Sequence, residues 1–340
     1  MTADCWALSC RRLRRLCFAT VGPLALYATV PTSLTAQSGA VPRGATSAAP
    51  VAQPAVGATS SAMHSVDGRV RRPVSAGGDS TGMGPVAGAW VTLHRVGKDS
   101  AGPIDSIRTD RAGRYRMQWR PSGAVDAVYF ASVTWGGIAY FTPPLRETEA
   151  RGDAAEITVF DTTTRTFPLA VKGRHLIVGM LDSAEMRTVI EVFELSNDSA
   201  RTLVTVEGAS PAPTWSLAIP KAAQDVRVTE GEISPESFAY NDGRVSIFAP
   251  IAPGLKQLAF SYKLPANSFP ITVRAENGAV VFEVLLEDAQ GTVFGEGFAA
   301  VDPVTLENRN FRRFLAQDFK PRGEVTVEVP LARSPGRKLY

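Results

Sequence analysis

The sequence predicts an all-β protein: two antiparallel β-sandwich domains that follow a signal peptide and a flexible linker. Three observations carry this expectation. From Val66 onward, short β-branched and aromatic runs recur at roughly 8–15 residue intervals, cut by Gly, Pro, Asp and Asn. No run sustains an apolar period of 3.6 residues. The residues before Val66 contain no such runs and read as leader and linker.

The leader spans 1–36. Arg11, Arg12, Arg14 and Arg15 form a basic start, an apolar run follows from Leu16 to Val30, and Leu34-Thr35-Ala36 places a small residue at a cleavage point. The apolar run holds Pro23 and falls short of the about 20 residues that a membrane span needs. The expected product is exported, to the periplasm, the cell surface or the extracellular space, with no mature transmembrane helix. The alternative is an uncleaved N-terminal anchor. The linker, 37–63, is Ala, Gly, Ser, Thr, Pro and Val with a single charge at Arg43. Such a tract cannot bury a core.

Removing the leader changes two properties of the chain. Cys5, Cys10 and Cys17 all lie within it, so the mature chain has no disulfide, thiolate nucleophile or cysteine-bound metal. The leader also holds four arginines and one acid. Without them the 36 basic and 33 acidic residues become 32 of each, and the net charge falls from +3 to about zero. No basic stripe remains to drive phosphate binding, which excludes nucleic acid as a partner.

The first domain is expected over 64–161. Its strands are "AWVTLHRV" (89–96), "RYRMQW" (114–119), "AVYFASVTW" (127–135) and "EITVF" (156–160), with a Gly-rich loop from Gly77 to Gly84. "DSIRTDRAGRYRM" (105–117) reads as a hairpin. Asp110 would accept backbone hydrogen bonds in an Asx-turn, Gly113 would take a positive φ, and Tyr115 and Met117 would face opposite to Arg114 and Arg116. A polar joint, Asp161 to Thr164, leads to a second domain at 166–331. Its strands include "HLIVGML" (175–181), "TVIEVFEL" (188–195), "QLAFSYKLP" (257–265), "AVVFEVLL" (279–286) and "VTVEVPL" (325–331). "TLENRNFRRFLAQDF" (305–319) is the best helix candidate. The end, 332–340, is a small basic tail.

"VDGRV" (66–70), "GPVAGAWVTLHRV" (84–96) and the Thr109-Asp110 to Gly113-Arg114-Tyr115 turn together resemble the carboxypeptidase regulatory-like family. The resemblance covers about 66–135 and weakens beyond Trp119, where "RPSGAVDAVYF" replaces the family's more regular turn and strand. It implies a prealbumin-like sandwich, also classed as carbohydrate-binding-like. Its signature positions here are Gly68, Pro85, Gly88, Ala89, Asp110, Gly113 and Tyr115, all with structural roles: close packing at Gly88 and Ala89, a buried ring at Tyr115. Calcium binding at Asp110 would need oxygen ligands that only Asp99 and Asp105 offer nearby. The remainder, 166–331, resembles uncharacterised secreted bacterial sandwich domains.

No enzymatic motif stands out. His64 (in the linker), His94 (at a sheet surface) and His175 are not spaced as metal ligands, so no metal or other cofactor is expected. Ser-x-x-Lys does not occur in the mature chain, and the Gly-x-Ser-x-Gly at Gly78 to Gly82 falls within the Gly-rich loop rather than between a strand and a helix. Carboxylate pairs exist at Glu230/Glu232 and Glu283/Glu287, with Glu283 expected on a solvent face. The stretch "VTWGGIAYFTPP" (133–144) reads as an aromatic loop in which Trp135, Tyr140 and Phe141 are candidate ligand contacts. The expected function is a non-enzymatic cell-envelope module for binding or structure, its partner a polysaccharide or an envelope protein. The alternatives are an accessory subunit of an envelope membrane complex and a hydrolase with scattered carboxylates.

One measurement follows from the leader. N-terminal sequencing of the secreted or periplasmic product should begin near Gln37. An intact Met1 on soluble cytoplasmic protein would refute export.

Overall fold

A computed structural model describes residues 62–75, 81–206, 208, 211–229 and 233–331. The expected signal peptide, nearly all of the expected linker, the basic tail and the pair Glu230/Glu232 lie outside these residues. The described chain is all-β, its only helical segments being single 3-10 turns at Pro235–Ser237 and Ala266–Ser268.

The first nine strands are β1 (His64–Ser75), β2 (Thr81–Pro85), β3 (Trp90–Val96), β4 (Ala101–Arg108), β5 (Arg114–Trp119), β6 (Val128–Trp135), β7 (Ile138–Phe141), β8 (Glu149–Thr158) and β9 (Asp161–Thr163). Two four-stranded sheets form. One is ordered β2-β1-β5 with β8 parallel beside β1, and the other β4-β3-β6-β7. Period-two alternation places Val66, Val70, Tyr115, Met117 and Ile157 of the first sheet in one cluster with Val91, Leu93, Ala131 and Val133 of the second. The two sheets therefore share a single buried layer.

Four expectations need correcting. His64 opens β1 and is not linker. Thr81–Pro85, expected as loop up to Gly84, is β2, paired with the far end of β1. Residues 133–141 form a hairpin rather than a loop: β6 and β7 pair directly across Gly136-Gly137, both at positive φ, and only 142–144 lie outside a strand. Such φ values suit a two-residue hairpin turn. Finally, 105–117 is not a hairpin, because β4 pairs with β3 whereas β5 pairs with β1.

The turn itself forms as its residues require. Asp110 Oδ1 accepts from the amides of Ala112 and Arg114, each at 2.8 Å, and Gly113 has φ +72°. Thr109 makes it a corner between sheets. Its buried hydroxyl donates to the Val86 carbonyl at 2.7 Å and accepts from the Ala89 amide at 2.9 Å, tying the corner to the β2–β3 turn. In that turn Gly88 is needed for its φ of +72°. A Cβ there would touch nothing within 4 Å, so the expected close packing is absent.

Gly68 is needed for space. A Cβ on it would lie 2.0 Å from the Ala155 carbonyl oxygen and 2.8 Å from a Tyr115 ring carbon. The pairing explains this. Asp67 faces Arg151 and Arg69 faces Glu156, so one residue of β1 opposes four of β8, a bulge. The bulge turns the Ala155 carbonyl into the layer, where the Tyr115 hydroxyl donates to it at 2.7 Å. Burial pushes the Tyr115 pKa well above the usual tyrosine range, so this hydroxyl stays a donor.

The remaining strands are β10 (Ala170–Leu181), β11 (Met186–Asn197), β12 (Arg201–Leu203), β13 (Trp215–Ala218), β14 (Gln224–Val228), β15 (Phe238–Asn241), β16 (Arg244–Ile247), β17 (Gly254–Pro265), β18 (Ile271–Ala275), β19 (Ala279–Leu286), β20 (Thr292–Gly295), β21 (Ala299–Leu306), β22 (Arg309–Phe319) and β23 (Gly323–Glu328). A seven-stranded sheet runs β14-β17-β11-β10-β19-β22-β21 and is antiparallel except at β10 and β19. One of its faces shares the largest cluster with two three-stranded sheets, β13-β16-β15 and β18-β23-β20. The helix candidate at 305–319 is instead a hairpin. β21 and β22 meet at Glu307-Asn308, both at positive φ.

That cluster encloses an ion pair. Arg174 Nη2 donates to Glu191 Oε2 at 2.6 Å, and Tyr262 donates to Glu191 Oε1 at 3.0 Å. Arg174 Nη1 donates to the Arg274 carbonyl at 3.0 Å, and its guanidinium lies 5.0 and 4.8 Å from the ring centres of Phe193 and Phe282. A buried pair is tolerable when each polar group is satisfied in this way. Burial, together with the Glu191 carboxylate, holds the Tyr262 pKa well above the usual range.

The polar joint at 161–164 is also structured. β9 pairs in parallel with β12, and the Tyr140 hydroxyl lies 2.7 Å from Thr202 Oγ1. Ala252, from the later part of the chain, packs against the first cluster.

Denaturant melts of the full chain should rank three substitutions. Gly68→Ala should cost about 3 kcal/mol, because a backbone carbonyl has to move. Tyr115→Phe should cost about 1–3 kcal/mol by leaving the Ala155 carbonyl unpaired. Asp110→Ala should cost about 0.5–1.5 kcal/mol.

Candidate functional site

The outer face of the β4-β3-β6-β7 sheet is built by the same alternation that builds the core. With Val91 and Leu93 inward, β3 turns Trp90, Thr92 and His94 outward. With Tyr129 and Ala131 inward, β6 turns Phe130 to the other face, where Ser132 lies buried among its neighbours. β7 buries Tyr140 and exposes Phe141.

Register assembles these residues into rows. Thr92 stands between Ser106 of β4 and Ser132 of β6, and Ser132 stands opposite Phe141. His94 stands opposite Phe130, and their rings stack at 5.1 Å and 14°. Phe130 meets Phe141 edge-on at 5.6 Å. Thr92 and Ser106 share a hydrogen bond of 2.9 Å, and His94 Nε2 lies 2.8 Å from Ser132 Oγ. Trp90 is 55% exposed, with the Arg108 guanidinium 4.7 Å from its ring centre. The face is thus a stripe of aromatic rings beside a row of hydroxyls.

The His94–Ser132 distance is that of a nucleophile and its base. Such a pair needs a third group to orient the imidazole and donors for an oxyanion. No hydrogen bond orients His94 from its Nδ1 side among the described residues. What the face offers directly is contact: flat apolar area with hydroxyls at its edge.

The three candidate contacts from the sequence are dispersed by the fold. Phe141 is 56% exposed on this face. Tyr140, one residue earlier, is 8% exposed and points the other way, its hydroxyl donating to the Phe160 carbonyl at 3.1 Å. Trp135 Nε1 donates to Asp161 at 3.1 Å, and Arg72 lies 5.6 Å from its ring centre while also pairing with Asp161 at 3.6 Å. Trp90, His94 and Phe130 were not singled out by sequence as contacts. Their signal was the outward half of "WVTLH" and "VYFAS".

The carboxylates considered for catalysis take up other partners. Glu283 is not on a solvent face. It is 8% exposed, accepts from His175 Nδ1 at 2.6 Å and is also bonded by Arg313 Nε. Glu287 is bonded by Arg309 and accepts from the Met180 amide at 2.7 Å. Around the turn, Asp99 is held by the buried Arg95 at 2.7 and 2.8 Å. Among the described residues, no three His, Cys, Asp or Glu side chains are grouped to hold a metal ion, and no helix is long and apolar enough to cross a membrane.

No family model matches the chain, and no curated protein matches it.

The Glu283 cluster has a consequence for pH dependence. Burial pushes the Glu283 pKa up, but the hydrogen bonds and charges of His175 and Arg313 outweigh it and leave the pKa lowered. The stabilisation is therefore present above the unfolded glutamate value of about 4.3 and fades as pH falls below it. Glu283→Gln should cost about 3 kcal/mol at pH 7 by removing the carboxylate that His175 and Arg313 share. Its stability should also fall less steeply than wild type between pH 5 and 3, as read by urea melts.

Proposed function

We propose that the chain is an exported, non-enzymatic binding module of the cell envelope, and that the aromatic face of the β4-β3-β6-β7 sheet takes up carbohydrate. One observation carries this reading. Phe141, Phe130 and His94 form a run of neighbouring rings on the outer side of the sheet, with Thr92, Ser106 and Ser132 beside it, and Phe141 is more than half exposed. A contiguous exposed apolar surface marks an interaction site. A sugar ring suits this one, because it presents apolar C–H faces to rings and hydroxyls to hydroxyls. The leader at 1–36 supports export. The likeness of 66–135 to carboxypeptidase regulatory-like domains, with their carbohydrate-binding-like fold, points the same way.

Affinity electrophoresis through gels containing neutral polysaccharides tests the reading. The wild-type chain should be retarded by at least one of them, and Phe141→Ala and Phe130→Ala should each weaken retardation about tenfold or more. Tyr140→Phe should leave retardation unchanged, since that hydroxyl serves the interior. Absence of retardation on every polysaccharide, or equal retardation of Phe141→Ala, would overturn the assignment.

A further inference from the structure

The opposite side of the same sheet pair carries a second feature. On the β2-β1-β5 sheet, with β8 beside β1, alternation turns Asp67, Arg69 and Arg71 outward, along with Arg114, Arg116 and Arg151. Register sets Arg69 directly opposite Arg114, and Asp67 between Arg116 and Arg151. Like charges directly opposite one another destabilise a ladder. Arg71 has Glu156 at 3.5 Å and Arg151 has Glu149 at 3.0 Å. Arg69 and Arg114 have no ion-pair partner among the described residues.

The β8 bulge turns this patch into a hollow. Gly152 takes φ +60° and the Ala155 carbonyl turns inward to Tyr115, and Arg151, Gly152 and Glu156 at the two ends of the bulge border the hollow. The hollow measures about 510 Å³ and is lined by Asp67, Arg69, Arg114, Arg151, Gly152 and Glu156. That is within the size range of small-ligand sites.

We propose that this hollow binds an acidic saccharide, a sugar unit that carries a carboxylate. Two arginines directly opposite in register, with no ion-pair partner among the described residues, suit an oxyanion, which they can hold through paired N–H donors. A bare anion would also meet the carboxylates of Asp67 and Glu156. A sugar acid brings hydroxyl donors for those carboxylates in the same molecule. The ligand thus relieves the Arg69–Arg114 repulsion and satisfies Asp67 together. This site stands apart from the aromatic face, with the buried layer of the two sheets between them.

Isothermal titration of the full chain with trigalacturonate tests the proposal, with maltotriose and inorganic phosphate as comparison ligands. Trigalacturonate should bind, and more weakly as salt rises from about 50 to 300 mM. The double variant Arg69→Gln/Arg114→Gln should lose about tenfold or more in affinity, and Arg151→Gln should lose less. Asp67→Asn should weaken trigalacturonate and strengthen phosphate. Phe141→Ala should leave trigalacturonate unchanged, which separates this site from the aromatic face. Thermal melts establish that each variant is folded, and Arg151→Gln serves if the double variant is not. The proposal fails if trigalacturonate gives no binding at several millimolar, or if the arginine variants bind it undiminished. It also fails if phosphate binds as tightly as trigalacturonate and Asp67→Asn changes neither.

Discussion

The first half of the molecule depends on the absence of one carbon atom. At Gly68 a Cβ would sit 2.0 Å from a backbone oxygen. Because only hydrogen stands there, β8 can bulge and send the Ala155 carbonyl to Tyr115. The neighbouring cross-strand pairs, Val66 with Met117 and Val70 with Ile157, then meet in register within the buried layer. On the outside, Arg151, Gly152 and Glu156 of the same bulge border the hollow that holds the arginines. Interior packing and exterior shape are two results of one steric fact.

The two outer faces show how a sandwich divides its chemistry. Alternation commits one residue in two to the core and leaves the other to solvent. On the flat sheet the free positions are rings and hydroxyls. On the bulged sheet they are guanidinium groups and carboxylates. The seven-stranded sheet contrasts with both, since it buries charge on each face. Arg174–Glu191 sits within the main cluster and His175–Glu283 on the other face, each with its hydrogen bonds shared among several strands. That distribution ties strand register to these groups.

The elements most legible in the sequence were those with one buried face. "RYRMQW" alternates cleanly and is strand β5, with Tyr115, Met117 and Trp119 inward. The stretch 305–319 misled because β22 buries both faces. Phe311 enters a small cluster with Ile177 and Leu285, while Phe314 and Phe319 enter the main one. Bulky residues three and five apart, serving two cores, erase the period of two and imitate a helix. The corner at 109–114 misled for another reason. Turn chemistry at Asp110 and Gly113 says that the chain reverses, but not that the strands on either side pair. That depends on Thr109 reaching Val86, a contact across 23 residues. The aromatic face was half legible. Phe141 was named from its loop-like surroundings, whereas Trp90 and Phe130 gain meaning only once β3 and β6 lie side by side. The parallel pairings of β1 with β8 and β10 with β19 leave no local trace at all.

The seam where β9 meets β12 bears on how the protein is made. Synthesis proceeds from the N-terminus, and a growing chain can close only those contacts whose partners have already emerged. The Tyr140 hydroxyl and the edge of β9 wait for residues 201–203, and the first cluster waits longer for Ala252. At about 5–20 residues per second, the passage from Thr163 to Thr202 takes about 2–8 s. Through that interval β9 has no strand partner, while all the strands of the two earlier sheets have already emerged. A nascent chain in this state presents an unpaired strand edge to its surroundings, and a chaperone that shields it has to act there before the seam is sealed.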